Sequence, residues 1–213
     1  MTSLVFKLER LPTPCGEMLV ATDEEGALRA LDWTDHEARM RRLLQLHYGT
    51  GGVQLRAEPP PASTVRRALE AYLEGDLNAI DAVVVKTAGT PFQREVWAAL
   101  RTIPAGTTLN YGALAAQLKR PAAVRAVGLA NGSNPISVVV PCHRVVGADG
   151  SLTGYGGGLP RKRWLLEHEG AVAQGCRLPC DAAGRTRISR LLHNGAIVAF
   201  LPAGSPAEPV VQS

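Results

Sequence analysis

Thr90-Pro91-Phe92-Gln93-Arg94-Glu95-Val96-Trp97-Ala98-Ala99-Leu100 is the stretch at which the chain changes character. A threonine hydroxyl can accept a hydrogen bond from a free N–H at a helix start, and proline at the next position has no N–H to leave unpaired, so Thr90-Pro91 predicts a helix N-terminus. Phe92, Val96, Trp97 and Leu100 recur at the spacing of one helix face until Ile103-Pro104-Ala105-Gly106 stops it. Residues 111–118 predict a second short helix. Lys119-Arg120-Pro121 turns the chain, and Pro121 opens a third helix running to Asn131. Two short helices joined by a tight turn fit a helix-turn-helix, although small helical domains of other kinds contain such pairs.

Upstream of Thr90 the pattern is different. Residues 4–9, 17–22 and 27–33 are short runs rich in alternating or β-branched apolar side chains, separated by Pro12-Thr13-Pro14-Cys15-Gly16 and Asp23-Glu24-Glu25-Gly26. They predict an antiparallel meander. Asp35 is placed to cap a helix through Tyr48 with Met40, Leu43, Leu44 and His47 on one face. Ser63 is placed to cap another that carries Val65, Leu69, Tyr72 and Leu73. Residues 82–86 predict a further strand and 87–90 a linker. The fold class is therefore α+β: a small antiparallel-sheet domain at 1–89, a mostly helical domain at 90–170 and an extension at 171–213.

With 213 residues, 46% hydrophobic and 20% charged, the composition excludes a disordered tail or a fibrous repeat. No apolar run is long enough for a membrane span, and Lys7, Glu9 and Arg10 interrupt any signal-peptide core, which predicts a cytoplasmic protein. The net charge of +4 is unevenly spread: residues 1–89 hold 10 basic against 13 acidic side chains, and residues 90–170 hold 9 against 4. A basic second half suits a polyanionic partner, and it equally suits a solvated surface. Four cysteines, Cys15, Cys142, Cys176 and Cys180, are too unevenly spaced for a disulfide framework, so reduced thiols are expected.

One cysteine stands in a reactive setting. Pro141-Cys142-His143-Arg144-Val145-Val146 follows the apolar run 136–140, and the neighbours His143 and Arg144 could favour a thiolate. Against this, cysteine is often a small buried hydrophobe, and adjacent side chains in extended chain point apart. The third helix concentrates small residues, Ala122, Ala123, Ala126, Gly128 and Ala130, around a single Arg125. That surface admits either close approach to DNA or close packing on another helix.

Asn134-Pro135, Val139-Val140-Pro141-Cys142-His143-Arg144-Val145-Val146, Gly154-Tyr155-Gly156-Gly157-Gly158, Arg161-Lys162 and 164–170 together resemble the O6-alkylguanine-DNA alkyltransferases, or methylated-DNA–protein-cysteine methyltransferases, and most of all their constitutive bacterial Ogt type. The resemblance takes in 90–97 and Tyr111-Gly112 and covers roughly residues 1–170, densely from Thr90. It implies a ribonuclease H-like N-terminal domain, a helix-turn-helix that enters the minor groove of duplex DNA, and extrusion of the damaged nucleotide. Cys142 would be the permanent alkyl acceptor, so that each molecule acts once. His143, through a water, and Glu169 behind it would relay the proton. Asn134 would hold the active-site turn, Tyr111 would assist protonation of the departing base and Arg125 would fill the gap left by the flipped nucleotide. Ala123, Ala126 and Gly128 would face DNA. Pro141, Val145, Tyr155, Gly156 and Gly157 would line the pocket, with the carbonyls of Cys142 and Val145 accepting from the guanine amino group. No cofactor or membrane is implied, and the protein is expected to be a monomer, with cooperative binding on DNA left open.

The sequence departs from some members of the family. Gly156 stands where they carry serine, which predicts extra room and tolerance of adducts bulkier than methyl. Cys15 stands alone in the first half, so no metal is expected there. Cys176 and Cys180 would need two further ligands to bind one, and His193 is the sole local candidate. No four-cysteine phosphotriester-repair domain is present. Three rival readings are a lesion-binding protein without transfer, a cysteine hydrolase using Cys142, His143 and Glu169, and a helix-turn-helix regulator.

Overall fold

The computed structural model describes residues 4–57 and 63–171, together with the backbone of 191–193 and 196–198. Strands β1 (Leu4–Leu11), β2 (Met18–Thr22) and β3 (Leu28–Trp33) form the expected antiparallel meander. Helix α1 (Glu37–Tyr48) follows, and then β4 (Val53–Ala57) adds to the free side of β1 in parallel register. The sheet order β3-β2-β1-β4 is thus mixed, not purely antiparallel as expected. A parallel neighbour needs a crossover, and α1 supplies it. Val53-Gln54-Leu55-Arg56-Ala57 carries the apolar–polar alternation of a strand, with Val53 and Leu55 packed on the core, but at five residues after a glycine-rich loop it was not singled out in the sequence.

β2 is buried at every position, and β3 at all but one, because both faces of the sheet are covered. On one face Phe6, Leu19, Ala21 and Ala30 meet Met40 and Leu44 of α1. On the other, Met18, Val20, Leu31 and Trp33 pack with Val65, Leu69 and Tyr72 of α2 (Thr64–Leu73), and the same core runs on to Cys142. Each such fully buried aliphatic side chain contributes roughly 1.5–3 kcal/mol relative to exposure. Ser63 caps α2 as expected, accepting from Arg66 N–H at 3.0 Å. Asp35 does not cap α1: a 3₁₀ turn, Thr34–His36, precedes it, and the Asp35 carboxylate instead accepts two bonds from Arg161 at 2.9 and 3.0 Å.

β3 lies at the sheet edge, and two later segments occupy its open N–H and C=O groups. Leu28 exchanges hydrogen bonds with Val84 and Lys86, so residues 82–86 form an isolated bridge and not the strand expected. Leu31 N–H donates to the Pro135 carbonyl and its own carbonyl accepts from Ser137 N–H, both at 2.9 Å. The edge of the N-terminal sheet therefore holds the segment that leads to Cys142.

Helix α3 (Pro91–Leu100) begins with a full capping box, in which Thr90 and Gln93 satisfy each other's backbone N–H. A two-residue strand β5 (Leu109–Asn110) leads into α4 (Tyr111–Gln117), and a turn through Lys119, with φ +57°, and the 3₁₀ segment Pro121–Ala123 leads into α5 (Val124–Gly132). Trp97 of α3 donates from Nε1 to the Ala130 carbonyl at 2.9 Å, fixing α3 on α5. β6 (Val145–Val146) pairs with β5, and α6 (Leu159–His168) closes this part of the chain. Residues 191–193 and 196–198 pair as a short antiparallel hairpin. The rest of the helix and strand expected at 188–200, and the side chains of Cys176, Cys180 and His193, lie outside the described residues.

Candidate active site

Cys142 opens a 3₁₀ turn, Cys142–Arg144, that runs into β6. Its side chain is buried, and the sulfur accepts a hydrogen bond from Asn134 Nδ2 at 3.2 Å. The same nitrogen lies 2.8 Å from the Val140 carbonyl and 3.1 Å from that of Ile136, while Asn134 Oδ1 accepts from Ile136 N–H at 3.0 Å. An amide with two N–H hydrogens thus serves three acceptors and clasps the loop before Cys142 from end to end. Within that loop Val138 has φ +66°, a left-handed backbone that a β-branched residue adopts only where its surroundings enforce it.

Burial pushes the Cys142 thiol up from its ordinary value. The Asn134 hydrogen bond and the charges of Arg39 and Lys162 oppose that shift without cancelling it. The resting group is therefore a thiol. The expectation that His143 and Arg144 favour a thiolate directly is not met, because both side chains turn to Glu169.

Glu169 is the hub of a buried network. Its Oε1 lies 2.9 Å from His143 Nε2 and accepts from Tyr72 OH at 2.7 Å and from Arg144 at 2.9 Å, while Oε2 accepts from Arg144 Nε at 2.9 Å. Burial would raise this carboxyl, but hydrogen bonds and charges from His143 and Arg144 overcome it and hold Glu169 ionised, well below the usual carboxylate range. Burial lowers His143 despite the opposing pull of Glu169, so the imidazole is neutral. A neutral ring that donates from Nε2 to a carboxylate carries its free lone pair on Nδ1. Nδ1 is buried and has no partner.

Tyr111, at the start of α4, is half-buried; burial pushes its phenol up, with hydrogen bonding from Thr153 and Asn131 opposing and Cys142 adding to the rise. Its ring lies 3.9 Å from where a Cβ on Gly128 would stand, an ordinary contact distance, so Gly128 borders Tyr111 without a clash that would demand glycine. Ala130 is buried, Gly128 and Ala123 are half-buried, and Arg125 and Ala126 are exposed. The small-residue helix therefore has one face packed in the core and the other exposed. Lys119 and Arg120, in the turn that precedes α5, are exposed, Arg120 pairing with Glu95 at 3.0 Å.

Pro141 and Val145 are buried next to Cys142. The Val145 carbonyl accepts from Lys162 Nζ at 2.6 Å, and the Cys142 carbonyl accepts from Val145 N–H. Tyr155 packs edge-on to both Trp33 and His143, with ring centroids 5.9 and 6.3 Å apart. Gly157 answers to packing: a Cβ there would run into the Trp33 ring. The extra room expected at Gly156 is filled, since a Cβ there would overlap the Arg39 guanidinium.

Four participants were not singled out in the sequence as site residues. Tyr72 and Arg39 come from the first half of the chain, and nothing local marks a core tyrosine or one of many surface-patterned arginines. Asp32, buried at 1% exposure under Arg39, is likewise silent. Lys162 is fully buried, donates to the carbonyls of Val145 and Thr153 at 2.6 Å each, and is lowered to about 8 by burial, with Cys142 opposing. Among the described residues no group of His, Cys, Asp or Glu converges as a metal site, and no helix is long and apolar enough to cross a membrane.

Residues 91–171 match the 6-O-methylguanine DNA methyltransferase DNA-binding domain, and residues 8–86 match the ribonuclease-like domain of the same proteins. A methylated-DNA–protein-cysteine methyltransferase of Salmonella typhimurium is 52% identical over 162 residues, covering 76% of this chain and 94% of that one. The chain belongs to the 6-O-methylguanine DNA methyltransferase family. A methyltransferase of the same name from Methanosarcina acetivorans is 43% identical over 159 residues, 75% of this chain and 95% of its own. Among solved members of the family, the Mycobacterium tuberculosis O6-methylguanine methyltransferase superposes with a TM-score of 0.62 at 37% identity, covering 84% of this chain and 98% of that one. A Mycobacterium tuberculosis OGT in complex with DNA gives 0.62 at 38% identity, covering 76% and 92%. Membership of the methyltransferase family sets aside the hydrolase and regulator readings of the Cys142 motif.

Proposed function

We propose that this chain repairs DNA by taking the alkyl group from O6 of guanine in a duplex onto Cys142, with O4 of thymine as a second substrate, in a single irreversible event. The observation that carries the reading is the buried chain from Glu169 to His143, ending in the unpartnered Nδ1 on the residue next to Cys142. The thiol proton passes through a water to Nδ1, and the resulting imidazolium is stabilised by the Glu169 carboxylate. The sulfur attacks the alkyl carbon. The S–C bond forms as the C–O6 bond breaks, and the guanine leaves with the electron pair. Tyr111 donates its phenolic proton to the departing base; because its phenol is raised, the phenolate does not persist, and the proton held on the His143 imidazolium, returned through water, restores the phenol and leaves His143 neutral. Asn134 fixes the sulfur throughout. A thioether has no comparable leaving group, so the protein is consumed.

The DNA-contacting part is residues 90–170, with α4 and α5 as a helix-turn-helix. Arg125 stands on the exposed side of α5 to fill the stack, and Ala123, Ala126 and Gly128 leave the backbone close to the minor groove, whose readout is degenerate and suits damage at any sequence. We place the protein in the cytoplasm, acting as a monomer. The test is a time course with a duplex holding one O6-methylguanine, in which the remaining modified base is measured after digestion. Conversion should equal the protein added and vanish in Cys142→Ser. Conversion beyond one base per protein, or retained by Cys142→Ser, would overturn the reading.

A further inference from the structure

Arg39 lies on the first turn of α1, in the acidic first half of the chain, yet its guanidinium reaches the surroundings of the nucleophile. Nη1 donates to the buried Asp32 carboxylate at 2.5 Å, and Nη2 donates to the carbonyls of Gly132 and Asn134 at 3.1 Å each. Those carbonyls close the C-terminal end of α5, where a cation is favourable and unpaired C=O groups need donors. Asn134 in turn grips the Cys142 sulfur. With 15% of its side chain exposed, Arg39 is held on three sides.

The fourth side is Gly156. A Cβ built there would overlap Arg39 Cζ and Nη2 and stand 2.7 Å from Nε, so the flat guanidinium lies against the glycine backbone. A long side chain can normally swing away from such a contact. This one can do so only by giving up the bonds to Gly132 and Asn134 and leaving Asp32 buried without its partner. Gly156 follows Tyr155, whose ring packs on His143, so the contact borders the reacting centre.

We propose that Arg39 stands in for the side chain missing at position 156, so that the two positions act as one coupled unit that sets which adducts reach Cys142. Arg39 is a positioning and specificity-determining residue, acting through Asn134 on the sulfur and directly on the space beside Gly156. The glycine by itself opens no room, and the width of the site depends on where the guanidinium sits. This proposal rests on the alkyl-transfer reading above.

The experiment is a cycle of wild type, Gly156→Ser, Arg39→Lys and the double variant, with transfer rates measured on duplexes carrying O6-methylguanine or O6-benzylguanine. Lysine keeps a cation for Asp32 but withdraws the planar group. Contacting residues couple, so Gly156→Ser should slow methyl transfer about tenfold or more when Arg39 is present and only about twofold or less in the Arg39→Lys background. Arg39→Lys should raise the benzyl-to-methyl rate ratio by about fivefold or more, which a general loss of fold would not do. Effects that simply multiply, with an unchanged benzyl-to-methyl ratio, would overturn the proposal. The same four proteins are unfolded in urea. If wild type transfers nothing to Cys142, the functional reading fails, while non-additive midpoints would still support the contact and additive ones would refute it.

Discussion

Replacing Glu169 by Gln tests the buried network with almost no change in shape. The carboxylate accepts one bond from Tyr72 OH, one from His143 and two from Arg144. A glutamine can keep the three bonds at Oε1 if its oxygen takes that place, but its NH₂ then faces Arg144 Nε, donor against donor. The larger loss is charge. Arg144 is 4% exposed, and its other partner is the neutral Ile103 carbonyl. Removing one partner of a buried ion pair costs about 3–5 kcal/mol because the other charge stays buried. Against a total stability of about 5–15 kcal/mol this is a large share. With a urea slope of about 2 kcal/mol per molar, the midpoint should fall by about 1.5–2.5 M. Urea unfolding followed by circular dichroism measures it, and the double variant Glu169→Gln/Arg144→Met should recover part of the loss. A midpoint shift below about 0.5 M, or no recovery in the double variant, would refute the idea that Glu169 is the counter-charge of a buried cation.

Three further outcomes are expected. Asn134→Ala removes the clasp on the 134–142 loop and the donor to the sulfur, so it should reduce alkyl transfer at least about tenfold while duplex binding changes little; equal losses in both would contradict a local role. Lys162 is lowered from 10.5 to about 8, so the folded state binds fewer protons than the unfolded chain between those values and stability should rise with pH across that window; Lys162→Met should flatten the rise in urea midpoints from pH 8 to 10.5. Arg125→Ala should weaken binding to a lesion-bearing duplex and slow transfer from it, while transfer from a free O6-alkylguanine base is unchanged, a comparison made with fluorescence anisotropy and single-turnover rates.

Local signals were legible where the chain makes its own contacts. Thr90 with Gln93 and Ser63 with Arg66 cap helices through bonds spanning three residues, and both were readable from residue type and spacing. Asp35 shows the limit of such signals: a capping residue type was diverted to Arg161, 126 positions away. β4 does carry an alternating pattern, Val53 and Leu55 inward and Gln54 and Arg56 outward, but five residues give a short signal, and its parallel place beside β1 is set by the α1 crossover. At the site, Cys142, His143 and Glu169 were found by motif. Tyr72 and Arg39 were not, because their chemistry depends on partners 97 and 95 residues away, which the tertiary fold alone brings together. Gly156 was read as empty space for the same reason.

The measurement that bears most directly on the central claim is intact-protein mass spectrometry after mixing with a duplex holding one O6-methylguanine, followed by peptide mapping. The account predicts the mass of one methyl group, located on Cys142, reaching one per protein and absent from Cys142→Ala. Tight binding to the lesion with no added mass, or a methyl group on another residue, would contradict it.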